Sequence, residues 1–195
     1  VIDLNGFNNT VNGLLGNGTI DNQSGGASVL TVGNNDDGGT FSGVLANTSG
    51  TLALTKIGTG QVTLTAANTY TGPTVVSAGT LQVQHANALG SGASTVAVNG
   101  GNLRTTTSIN VNSLTGAQGT SVANATGAGA TIITHTGTGD YTGIISDGAS
   151  GTVGVYIPSG SLRLTANNTY SGGTVVASGA TLAVGVINPG GSGVP

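Results

Sequence analysis

The sequence predicts an all-β chain coiled as a parallel β-helix, a solenoid holding about two copies of a 100-residue unit. Three observations carry this reading. Gly (37 residues), Thr, Asn and Ser make up more than half of the 195 residues, while Glu, Met and Cys are absent and only three residues are basic. Apolar residues alternate over very short spans. One long segment occurs twice in fixed register.

Composition rules out a helical protein, because Gly, Thr, Asn and Ser are poor helix formers and the good formers are scarce. The alternating pairs are Leu30/Val32, Leu52/Leu54, Val62/Leu64, Leu81/Val83 and Val96/Val98, then Leu162/Leu164 and Leu182/Val184. Period two over so few residues means short strands with one buried face. Residues opposite that face, such as Thr63 and Thr65, are expected on the outside. Between the strands lie corners of Gly, Asn and Ser, which accept positive φ or bond their own backbone. A sandwich draws on aromatic anchors and is not internally repeated, whereas a solenoid repeats by construction. Coils of roughly 20–25 residues give eight or nine rungs, and a rod of roughly 40 Å at ~4.8 Å per rung.

The repeat pairs Gly60 to Val76, GQVTLTAANTYTGPTVV, with Gly160 to Val176, GSLRLTANNTYSGGTVV. Flanking matches extend it: Val11-Asn12-Gly13-Leu14 with Val111-Asn112-Ser113-Leu114, Phe41-Ser42-Gly43 with Tyr141-Thr142-Gly143, and Gly90-Ser91-Gly92 with Gly191-Ser192-Gly193. The units run 1–100 and 101–195 of one continuous solenoid. Val194-Pro195 falls inside a repeat, so the chain reads as a fragment of a longer one, and open coil ends are expected to meet further coils or other copies head to tail.

Whole classes of function fall away. Three basic residues in a chain of net charge −3 cannot supply the phosphate contacts on which nucleic-acid affinity rests. No run of 18 apolar residues exists, and six aromatics cannot form the girdles of a membrane barrel, so this segment is not expected to insert into a membrane. Without Cys there are no disulfides and no thiolate metal sites.

The repeated G-x-[VL]-x-L-T-A-x-N-T-Y-[TS]-G-x-T-V-V, followed by G-x-L-x-V, resembles the passenger-associated transport repeat of bacterial autotransporters. Leu54 to Leu64, LTKIGTGQVTL, is similar to the lead-in of that family, and the second copy departs there with Tyr156-Ile157-Pro158-Ser159-Gly160. The resemblance implies a right-handed parallel β-helix passenger, secreted across an outer membrane and displayed at the cell surface. It carries over no catalytic residue. Its motif residues here are Asn68, Tyr70, Gly72, Asn168, Tyr170 and Gly172, with a structural role.

The two copies provide a control, since a site belonging to the unit should occur in both. His85 aligns with Val186 and His135 with about Val32, so both are read as structural or surface histidines without a metal set. Asp36-Asp37, among glycines, resembles calcium-binding turns but lacks their nine-residue repetition and reads as a solvated turn. Asp3, Asp21, Asp140 and Asp147 are dispersed; Asp147 aligns with Asn47, and no acid is duplicated by an acid, which weakens the case for paired catalytic carboxylates. Arg104 aligns with Leu4 and Arg163 with Thr63, both read as solvated. Tyr70 and Tyr170 are expected beneath a corner or on a loop carbonyl. The Asn-x-Ser/Thr sequons, among them Asn22 and Asn124, occur at the frequency of chance. Thr-x-Thr pairs recur too irregularly for an ice-binding array.

The sequence therefore reads as a non-catalytic structural or adhesive segment of an extracellular, surface-displayed β-helix, without cofactors or metal. Its expected partners are neighbouring repeats, copies of itself and surface glycans or proteins. The alternative is a carbohydrate-binding or polysaccharide-cleaving β-helix.

Overall fold

The computed structural model describes residues 1–91 and 94–185, so Val186, Gly92 and the stretch Gly191-Ser192-Gly193 with Val194-Pro195 lie outside the described residues. Within them the chain is all-β, and its one helical element is the short 3₁₀ turn Asn34–Asp36. Every strand pairing is parallel.

Three strips of strands run along a common axis. The long face has nine strands among the described residues: Asn9–Val11, Ala27–Val32, Thr51–Lys56, Thr74–Val76, Thr95–Val98, Ser113–Gly116, Thr138–Tyr141, Ser161–Leu164 and Thr181–Val184. The middle face has six, from Gly39–Phe41 through Gln61–Leu64, Thr80–Val83, Asn102–Thr105 and Ser121–Asn124 to Ile144–Ser146. The third strip is split: Ile2–Asp3, Thr19–Asp21 and Val44–Ala46 form its first part, and Ile109–Val111, Thr131–His135, Val153–Ile157 and Thr174–Val176 its second. Along the chain the strips follow one another as split, long, middle, coil after coil. This is a β-solenoid of about eight turns.

One column of the long face traces the whole rod through register partners: Val11, Val32, Lys56, Val76, Val98, Gly116, Tyr141, Leu164 and Val184. These positions point inward, and most carry apolar side chains with almost no exposure. Burying Val, Leu and Ile on one side of each short strand supplies the main driving force, at about 1.5–3 kcal/mol per side chain. Backbone hydrogen bonds run along the axis, so each coil is held by the coils before and after it.

The sequence repeat and the turns are out of phase. Asn9–Val11 lies on the long face, but its counterpart Ile109–Val111 lies on the split face, reached after four further passes along the long face and one more along the middle face. One unit therefore spans about four and two-thirds turns. Consequently Gln61–Leu64 is on the middle face and its copy Ser161–Leu164 on the long face. Strand registers also revise one pairing read from the sequence: Asp3 and Arg104 occupy equivalent places, because Ile20 and Val122 sit on equivalent partners, Leu45 and Ile145. The sequence offset had paired Arg104 with Leu4. Thr63 does lie opposite the core residues Val62 and Leu64, yet it is buried, because Gln61 folds over it with Nε2 3.2 Å from its hydroxyl.

Candidate functional site

The repeated motif forms the corner between the middle and long faces in the first copy, and between the long and split faces in the second. Asn68 is buried, and its Oδ1 accepts the N–H of Leu45 at 2.8 Å from the preceding coil. Its Nδ2 donates to the carbonyl of Ala88 at 2.7 Å in the following coil. A single amide thus clamps three successive coils. Asn168 accepts the N–H of Ile145 at 2.8 Å in the same way, while its Nδ2 donates to Ala166 O in its own corner.

Tyr70 is fully buried and its hydroxyl shares a hydrogen bond of 2.6 Å with Thr74 Oγ1. Thr74 occupies the inward column between Leu54 and Val96, where a lone hydroxyl would be orphaned. The two polar tips satisfy each other, and burial pushes the Tyr70 phenol up beyond its ordinary range. Tyr170 and Thr174 repeat the bond at 2.7 Å. The partner is a threonine hydroxyl, where a loop carbonyl was among the expectations.

Gly72 is required by close approach: a Cβ there would lie 2.4 Å from Leu52 O, which accepts the Gly72 N–H at 2.9 Å. Gly172 meets Val153 in the same manner, with its N–H on Val153 O at 2.8 Å. Asn47 and Asp147 complete the corner, accepting the N–H of Thr71 at 2.7 Å and of Ser171 at 2.9 Å. Amide and carboxylate are interchangeable in this role, since only an acceptor oxygen is needed.

A second duplicated clamp was missed in the sequence. Asn22 Nδ2 donates to Gly26 O and Thr51 O, and Asn124 Nδ2 to Gly129 O and Thr152 O. Both side chains are buried, so neither sequon is accessible to modification. The signal was present in the pairing of Thr19-Ile20-Asp21-Asn22 with Ser121-Val122-Ala123-Asn124.

Lys56 is the other residue that the sequence left unassigned. It occupies an inward position between Val32 and Val76, with its ammonium donating to the carbonyls of Ile57, Gly58 (2.8 Å) and Ala78 (3.4 Å). Burial depresses its pKa, and the nearby Asp36 opposes that shift. The equivalent inward position in the second copy holds Ile157, paired with Val176 as Lys56 is with Val76.

All six carboxylates lie in the described residues, and they make hydrogen bonds within the fold. Asp36 Oδ1 accepts the Thr59 N–H at 2.8 Å, which with the Thr59 hydroxyl holds its carboxyl below the ordinary range. Asp37 accepts the N–H of Gly38, Asp3 those of Asn5 and Gln23, and Asp21 the N–H and hydroxyl of Thr48. Asp147 also accepts the N–H of Val153, and Asp140 pairs with Arg163 at 3.1 Å on the long face. His85 is exposed, its Nδ1 accepting the Asn87 N–H. His135 is fully buried with neither ring nitrogen hydrogen-bonded, and desolvation lowers its pKa. Among the described residues no three His, Cys, Asp or Glu side chains group as a metal set.

Two stretches, 54–83 and 159–184, match the passenger-associated transport repeat family, each covering one coil and part of the next around the Asn-Thr-Tyr corner. The chain is a β-solenoid that carries two of these repeats, and in this it resembles autotransporter passengers. It is similar to the adhesin BmaC autotransporter of Brucella suis biovar 1 (strain 1330), with 30% identity over 195 aligned positions. The match covers 95% of this chain and 5% of the length of that relative. No solved structure matches the chain.

Proposed function

We propose that this chain is a non-catalytic adhesive segment of a surface-displayed passenger, a stiff stretch of rod whose outer faces make contacts while its corners hold the coils together. The observation that carries the reading is the likeness, across nearly the whole chain, to an autotransporter adhesin. The disposition of the carboxylates supports the non-catalytic part. Glycoside cleavage needs two carboxyl groups facing one cleft, and here each acid is hydrogen-bonded to a turn, a corner or Arg163. Extension along the axis, by further coils of a parent chain or by copies end to end, belongs to the same proposal, because coils pair only along that axis.

Beads coated with the 195-residue chain test it. They should adhere to cultured epithelial cells several-fold more than beads coated with an unrelated β-solenoid, and release no reducing sugar from polysaccharides. Adhesion equal to the control contradicts the adhesive reading, and sugar release contradicts the non-catalytic one. Sedimentation across a wide concentration range tests the end-to-end part, where a strictly monomeric species would oppose self-assembly.

A further inference from the structure

The chain has three cationic side chains, and the fold uses two of them. The Lys56 ammonium is enclosed by backbone carbonyls, and Arg163 bonds the Asp140 carboxylate through both Nε and Nη2. Arg104 differs. Among the described residues, which hold all six Asp, no carboxylate lies within salt-bridge distance of it, and its one hydrogen bond is a long contact of 3.4 Å from Nη1 to Asn124 O. A guanidinium has five N–H donors, so most of its capacity is left for a ligand.

Arg104 is also a wall of a cleft. On the middle face it stands beside Gln82 in register, and with Gln61 and Thr80 it borders an open cleft of about 370 Å³, flanked by Ala125, Thr126 and Ala149 from later corners. Gln61 Nε2 donates to Gln82 Oε1 at 3.2 Å, which leaves the NH₂ group of Gln82 for another acceptor. The cleft therefore presents a guanidinium, two amides and two threonine side chains, with no aromatic ring and no acid. The repeat itself does not need this cation, since the equivalent place in the first unit holds Asp3.

These features select a ligand. A planar guanidinium matches a carboxylate through paired N–H bonds, and amide and hydroxyl groups suit a polyhydroxylated partner. One free cation is far too few for nucleic acid. We propose that the Arg104 cleft binds the carboxylate of an acidic sugar, a uronate or a sialate, with Gln61, Thr80 and Gln82 taking ring hydroxyls. This rests on the adhesive reading and gives it a ligand class.

Titration of the isotope-labelled 195-residue chain, followed by NMR, tests the proposal with trigalacturonate and 3′-sialyllactose as probes and maltotriose and lactose as neutral controls. The Arg104 Nε–H and the side-chain amides of Gln61 and Gln82 should shift saturably with an acidic sugar, and the tighter of the two probes identifies the source. Arg104→Gln should weaken binding by about tenfold or more while leaving the thermal melt unchanged. Equal response to acidic and neutral sugars, no response, or unchanged binding by Arg104→Gln would overturn it. Beads carrying Arg104→Gln separate the two readings. If they adhere like the parent and no acidic sugar shifts Arg104, the cleft inference fails and adhesion stands; if parent beads do not adhere but the shifts occur, the adhesive reading fails and the cleft stands.

Discussion

Asn68 Oδ1 accepts the backbone N–H of Leu45 at 2.8 Å, across twenty-three positions of sequence and one coil of the solenoid. Asn168 and Ile145 reproduce this bond, also across twenty-three positions, on a different face of the rod. The corner is thus a self-contained clamp that works wherever the phase of the repeat places it. Asn68→Ala removes two buried hydrogen bonds and orphans the groups they served, and should cost about 2–4 kcal/mol in urea melts. Asn168→Ala, less buried and making one inter-coil bond, should cost about 1 kcal/mol. Equal losses would contradict the three-coil clamp.

Gly72→Ala forces a Cβ to 2.4 Å from Leu52 O and should cost about 2–4 kcal/mol. Gly18 has open space around its missing Cβ, so Gly18→Ala should change stability by less than about 0.5 kcal/mol. The difference in denaturation midpoint between the two variants is the check.

Lys56→Met leaves convergent carbonyls without their donor, and a loss of about 2–4 kcal/mol is expected. Ile157→Met, at the equivalent inward place but with no hydrogen-bonding group to lose, should cost less than about 1.5 kcal/mol. Tolerance of both changes to the same degree would show that the ammonium is not needed at that corner.

His135 gives the fold a pH dependence. Its folded pKa is lowered below imidazole's ordinary 6.5, so the unfolded chain takes up the proton first as pH falls. Stability should then decline below about pH 6.5 by up to about 1.4 kcal/mol per unit, until the folded-state pKa is reached. The carboxylates held low, Asp21, Asp36 and Asp147, lose their contribution only as pH falls below about their ordinary 3.8. His135→Val, the residue found at Val32, should abolish the decline between pH 6.5 and 5. Parallel stability profiles for variant and parent over that interval would contradict this.

The strand positions, the parallel pairing and the coil length were legible in the sequence, because Leu81/Val83 or Val96/Val98 alternate with the period of a half-buried strand and the corners are marked by Gly and Asn. The phase was not. A 100-residue offset says which residues are alike, whereas the face they occupy depends on coil lengths, which vary from eighteen residues between Val98 and Gly116 to twenty-five between Gly116 and Tyr141. Asn68 and Tyr70 stood out as a repeated motif, but their partners Leu45 and Thr74 come from register and from inward direction. Lys56 read as one lysine of a lead-in, since its burial follows from standing in line with Val32 and Val76. The Arg104 cleft joins strands to corners of later coils, a proximity that no local pattern encodes.

The central structural claim is one continuous rod, and a single distance tests it. Thr10 and Ala183 stand at opposite ends of one outward column of the long face, eight rungs apart. The chain has no cysteine, so Thr10→Cys with Ala183→Cys can be spin-labelled without other changes. Pulsed electron paramagnetic resonance should give one narrow distribution near ~38 Å, the product of eight steps and ~4.8 Å per rung, broadened only by the label linkers. A mean below about 25 Å, or a broad distribution spanning the range of a hinged pair of domains, would contradict the continuous solenoid.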